Sequence, residues 1–125
     1  MPSVDPITLG VAADPHLARL VRMTASNAAL LSSMSVERVE DIRMAAEEAF
    51  IYACAAQPGE RVTIAFEVDD EHMGMTFELA DDSFPALDPD DPASAYTDLI
   101  LGSVCDSYER LESPARLVLS LKADV

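Results

Sequence analysis

Apolar residues recur along this chain in two rhythms, and the switches between them mark its elements. Between Ser35 and Gln57, Val39, Ile42, Ala46, Ala49, Phe50 and Ala53 fall at helical spacing and make one apolar stripe. Ser35 is placed to cap this helix, but Arg38 stands where a full capping box has Glu or Gln, so the cap is partial. Ala45, Glu48 and Tyr52 line one flank of the stripe, three and four residues apart, and so face the same way. Pro58-Gly59 ends the helix.

Upstream, residues 7–13 read as a short strand, and Asp14-Pro15 opens a helix with Asp at the cap and Pro in the first turn. Leu17, Leu20, Val21, Thr24, Ala28 and Leu31 carry that helix to about Ser33. Downstream, Val62, Ile64, Phe66 and Val68 alternate with Arg61, Thr63, Ala65 and Glu67, the pattern of a half-buried strand over 61–68. After a polar turn at Asp69–His72, the stretch Met73–Ala80 returns with Met73, Met75, Phe77 and Leu79 on one face, completing a hairpin. Asp81 to Ala93 is an acidic loop holding Pro85, Pro89 and Pro92. A third helix is expected from about Ser94 to Leu111, with Tyr96, Leu99, Ile100, Val104 and Tyr108 on its apolar side. Ser113-Pro114 breaks it, and Ala115–Lys122 alternates as a last strand. The order β-α-α-β-β-α-β predicts an α+β fold: a two-layer sandwich with helices over one face of the sheet, residues 1–125 forming one domain.

Charge narrows the partners. The chain has 23 acidic residues against eight basic ones, a net charge of −15. That field repels nucleic acid and anionic membranes, and it opposes a polyanion such as ATP unless backbone amides and a metal offset it. It steers a basic protein surface inward, although solubility alone is the plainer reading of charge. No apolar run reaches the length of a membrane span, and the N-terminus lacks the pattern of a signal peptide, so a cytoplasmic protein is expected. Cys54 and Cys105 are isolated and form no metal-spaced set with His16 and His72. Buried reduced thiols fit that spacing better than a disulfide, and no metal centre is expected. His16, in a first helical turn, reads as a surface residue.

The segment EDIRMAAEEAFIYACAA, a hairpin ending in LADDSF and a helix LILGSVCDSYERL resemble the anti-sigma factor serine-protein kinases. These belong to the histidine-kinase-like ATPase superfamily, with gyrase, a heat-shock chaperone and histidine kinases. The resemblance spans nearly the whole chain. It implies a mixed, mostly antiparallel sheet with helices on one face, and a nucleotide held between helices and a lid loop. In the family's first box a Glu activates the attacking hydroxyl, and an Asn four residues on holds Mg²⁺. Glu48 falls on the Glu, and Tyr52 on the Asn. A phenol is a poor ligand for a hard cation, and a base achieves little without the metal that neutralises the phosphates. In the second box an Asp binds the adenine amino group ahead of Gly-x-Gly. Asp81 falls on the Asp, but Asp82-Ser83-Phe84-Pro85 follows, without the glycines a close approach needs. The third box, a glycine-rich lid, aligns near Ala95–Asp98, again without glycine, and behind Asp88, Asp90 and Asp91.

The nucleotide positions Tyr52, Asp81 and Ser83 are therefore expected to be non-functional, with Glu48 a vestigial catalytic base or a helix surface charge like Glu47 beside it. Asp81 can equally cap or turn the chain after its strand. Tyr52 is expected to plug what would be the nucleotide cavity, an idea that a solvent-facing ring would end. Met73 and Met75 read most simply as core, with an adaptable binding face as the alternative. Three functional readings stay open. The first is a non-catalytic anti-sigma-like regulator that needs no cofactor and sequesters a sigma factor or its antagonist. The second is a working Mg-ATP-dependent serine kinase. The third is a structural or dimerisation unit, or a binder of another small ligand. Homodimerisation is common among relatives of this kind, and nothing in the sequence marks its contact surface.

Overall fold

The alternating and helical stretches become a sheet with helices laid over one of its faces. In a computed structural model, residues 7–84 and 92–124 are described. Strand β1 (Ile7–Ala12) leads through a 3-10 turn at Pro15–Leu17, capped by the Asp14 carboxylate on the His16 amide, into helix α1 (Ala18–Ala29). Helix α2 (Val36–Ala56) follows, then strands β2 (Arg61–Val68) and β3 (His72–Glu78), helix α3 (Pro92–Val104), and strands β4 (Ser107–Leu111) and β5 (Arg116–Lys122).

The strands lie in the order β1-β2-β3-β5-β4, and every neighbouring pair is antiparallel. The expected mixed sheet is corrected to a wholly antiparallel one among the described residues. Register follows the alternation. Ile64 opposes Phe77 and Phe66 opposes Met75, while Met75 also opposes Leu119, so one face of the sheet carries a continuous apolar row. Ile42, Phe50, Ile64, Phe66, Met73, Met75, Phe77, Leu117, Leu119 and Leu121 are fully buried there. Met73 and Met75 are thus core residues and not a binding face. Full burial of a side chain of this size stabilises by about 1.5–3 kcal/mol. The opposite face, with Thr63, Ala65, Thr76, Val118 and Ser120, stays partly open to solvent.

Two expectations for the third helix are corrected. It ends at Val104, and Ser107–Leu111 is an edge strand paired with β5 and not the helix's last turns. Tyr96 and Leu99 are 57% and 65% exposed, whereas Thr97 and Leu101 face the core. The acidic loop residues 85–91, with Asp88, Asp90 and Asp91, lie outside the described residues.

Ser35 caps α2 as predicted, its Oγ accepting from the Arg38 amide at 3.1 Å. Arg38, which breaks the capping box, has another task. Its guanidinium donates to the carbonyl oxygens of Lys122 (2.7 Å) and Val104 (3.0 Å) and to the carboxylates of Asp106 (2.6 Å) and Asp41 (3.2 Å). The start of α2, the end of α3 and the end of β5 are joined by one side chain. At the other end of α2, Gly59 adopts φ 78°, a turn that any β-carbon would strain, and its amide donates to Ala13.

Candidate functional site

Glu48 and Tyr52 sit one turn apart on the flank of α2 that meets α3. The Glu48 carboxylate accepts a hydrogen bond from the Thr97 hydroxyl of α3 at 2.8 Å, and Thr97 is only 3% exposed. On the other flank, both carboxylate oxygens of Glu47 accept from Arg22 of α1 at 3.2 Å. Glu47 is therefore not simply a solvated charge: the two adjacent glutamates tie the central helix to a neighbour on either side.

The Tyr52 ring points inward and is 5% exposed. It packs tilted against Phe84, with ring centroids 6.1 Å apart, in the favourable range for aromatic pairs. The Arg110 guanidinium also lies over the ring, 4.8 Å from its centroid, in cation–π contact. Burial pushes the Tyr52 phenol above its ordinary pKa, with Arg110 working against that rise. Its hydroxyl is buried without a hydrogen-bond partner among the described residues.

Arg110 comes from β4, the strand expected to be helical. Its Nε donates to the Tyr108 hydroxyl at 2.8 Å, Nη2 pairs with Asp98 of α3, and the Tyr108 ring lies 5.9 Å from the guanidinium carbon. Burial raises the Tyr108 pKa too, and the bond from Arg110 opposes that shift. Tyr52, Phe84, Arg110, Tyr108 and Asp98 form one continuous cluster between α2, α3 and β4. Nothing local in the sequence announces it, because Arg110 reaches Tyr52 only once β4 pairs with β5.

Asp81 and Ser83 are at the exit of β3 and are exposed. Asp81 acts through its backbone: its amide donates to Gln57 Oε1 at 3.3 Å, and its carbonyl accepts from Ala115 at 3.0 Å. Among the described residues its carboxylate makes no hydrogen bond. Gln57, just past α2 and 6% exposed, also accepts from the Ala80 amide at 3.0 Å, so an unremarkable amide fixes where the chain leaves the sheet. The Ala95–Asp98 stretch is helical.

Both cysteines are free. Burial pushes Cys54 up to about 11 and Cys105 up to about 12, so neither is a thiolate near neutrality. His16 is a surface residue whose Nδ1 lies 3.0 Å from Asp14. Among the described residues no group of three or more His, Cys, Asp or Glu side chains could hold a metal ion, and no helix is long and apolar enough to cross a membrane. No protein-family model matches the chain, and no curated protein does.

Proposed function

We propose that this chain is a non-catalytic regulator of the anti-sigma-kinase type, a cytoplasmic protein with a degenerate histidine-kinase-like ATPase fold that acts by binding a protein partner in transcription control. The packing of Tyr52 carries the reading. At the position where the family's Asn holds Mg²⁺, an aromatic ring packs against Phe84 and under the Arg110 guanidinium. It offers a hard cation no suitable oxygen. Glu48, on the position of the catalytic base, spends a carboxylate oxygen on Thr97. Asp81 stands exposed ahead of a chain that has no glycine to curve beneath a base. A Mg²⁺–nucleotide does not fit these residues, and no phosphoryl-transfer step is derived through it.

A helix layer over a sheet supports the fold assignment, whereas the fully antiparallel pairing departs from the mixed sheet that the resemblance implies. The net charge of −15 supports a basic protein surface as the partner. Calorimetric titration with Mg²⁺ and ATP, run beside a thermal melt, tests the reading. A ligand bound only by the folded state stabilises by about 2.7 kcal/mol at a hundredfold excess over Kd. The expected result is no heat and no shift at millimolar nucleotide. A magnesium-dependent upward shift would overturn the proposal in favour of an active serine kinase.

A further inference from the structure

We propose that the outward face of α3 is the surface that docks a protein partner, and that the partner presents a basic amphipathic helix to it. The proposal rests on the protein-binding reading above and names a surface and a partner chemistry for it. The stretch YTDLILGSV carries apolar residues at almost every helical angle, and a helix of that kind is ordinarily buried on all sides. Helix α3 is covered on one side. Thr97 and Leu101 are buried and Val104 packs against the core, whereas Tyr96 is 57% and Leu99 65% exposed. Tyr96, Leu99 and Ser103 fall three and four residues apart, so they form one outward ridge.

This ridge is preformed and loses little on dehydration. The Thr97 hydroxyl donates to Glu48 of α2 at 2.8 Å. On the β4 side, Asp98 pairs with Arg110 and accepts from the Tyr108 hydroxyl at 3.3 Å. These bonds fasten α3 to two neighbours, so a partner does not have to order its outer face. The Ser103 hydroxyl donates to the Leu99 carbonyl of the same helix at 2.6 Å, so covering the ridge strands no serine donor. A tyrosine such as Tyr96 buries its ring while its hydroxyl stays at the wet rim.

Charge selects the occupant. Between Arg61 and Arg110 the chain has no lysine or arginine, while 13 of its 23 acidic residues fall there, and α3 lies inside that stretch. Asp98 and Asp106 are held by Arg110 and Arg38, so the pull comes from the other acids of the stretch and from the net charge of −15. An apolar ridge in such a field attracts a partner that flanks its own apolar stripe with Lys or Arg, and repels nucleic acid and anionic lipid. An amphipathic helix suits it, because two helices pack side-chain ridges into grooves along such a stripe. Exposed Met44 of α2 is different. It lines a cavity of about 240 Å³ with Arg22, Arg43, Glu40 and Glu47, where balanced charges favour neither sign of partner.

The test titrates the isotope-labelled full chain with synthetic peptides of about 18 residues and follows backbone amide shifts. The probe is a leucine–lysine peptide with its leucines at helical spacing. A scrambled isomer keeps the charge without the stripe, and a leucine–glutamate version reverses the charge. The amphipathic lysine peptide should perturb residues 95–103 most and bind at least about tenfold more tightly than its scrambled isomer. Its binding should weaken as salt rises, and the glutamate version should not bind. Leu99→Ser and Tyr96→Ser should each weaken it about tenfold, while Met44→Ser leaves it unchanged. Circular dichroism checks that each variant folds. Equal affinity for the two lysine isomers, shifts centred on α1 and α2, insensitivity to both α3 variants, or no binding at about 1 mM would overturn the proposal. So would binding to phosphatidylcholine vesicles that the α3 variants abolish, which would assign the ridge to a membrane. The two readings fail separately. Binding of Mg²⁺ and ATP would overturn the regulator whatever the peptide does, and a peptide that avoids α3 would overturn this surface with nucleotide still unbound.

Discussion

Replacing Tyr52 with phenylalanine should make this protein more stable. Among the described residues the Tyr52 hydroxyl has no hydrogen-bond partner, and the residue is only 5% exposed. An unsatisfied buried hydroxyl costs about 1–3 kcal/mol in lost hydration. Removing it leaves a void of about 10 Å³, which at about 24 cal/mol per Å³ costs only about 0.2 kcal/mol. The contacts with Phe84 and Arg110 are made by the ring, and phenylalanine retains that ring. The expected net gain is about 0.8–2.8 kcal/mol, or a rise in Tm of about 3–11 °C for a chain of this size. Urea denaturation followed by far-ultraviolet circular dichroism measures it, since the chain has no tryptophan. A loss of more than about 0.5 kcal/mol would refute the reasoning, because it would mean that the hydroxyl has a partner worth more than its desolvation. A stabilising Tyr52→Phe would mark the hydroxyl as retained for something other than folding.

Arg38→Ala should cost about 2–4 kcal/mol, because a side chain 14% exposed loses its charged donations to two carbonyl groups. The half-open pairs with Asp106 and Asp41 add little in water. Arg43→Ala, which loses only an exposed pair with Glu40, should stay within about 0.5 kcal/mol. Equal costs for the two in urea denaturation would show that Arg38 is not a clamp. Alkaline pH should destabilise the fold in a defined order. Burial raises Cys54 from 9.0 to about 11 and Cys105 from 9.0 to about 12, so between those values the unfolded chain releases protons that the folded chain retains. Stability is thus complete below about 9, declines as pH rises through about 11 and 12, and declines less in Cys105→Ala. Melts taken across that window check the order.

The sequence made the sheet and the central helix legible because each has one unambiguous period. The strand from Arg61 to Val68 was bounded as expected, and the burial of Ile42, Ala46, Ala49, Phe50 and Ala53 follows their helical spacing. The third helix misled because YTDLILGSV offers apolar residues at almost every angle. Periodicity could not choose the face with Leu101 over the face with Tyr96 and Leu99. Strand β4 was hidden for a different reason. In SYERL only Tyr108 is partly buried, so the segment carries no apolar alternation, and its strand character comes from pairing with β5. The site was legible to the same extent. Spacing brought Glu48 and Tyr52 to one flank of α2. Thr97 met Glu48 and Arg110 met Tyr52 through long-range contacts that leave no local signature, and the bond from Ala80 to Gln57 leaves none either.

The central claim is that the chain regulates transcription by binding a protein, without phosphoryl transfer. The most direct measurement adds the purified chain to transcription reconstituted from bacterial RNA polymerase with one sigma factor at a time, with ribonucleotides that support RNA synthesis but resist transfer to protein. The account predicts stoichiometric inhibition with one factor, or its relief when the factor's antagonist is the partner, unchanged by Glu48→Gln. No effect on any factor, or an effect that needs transferable phosphate and is lost in Glu48→Gln, would contradict it.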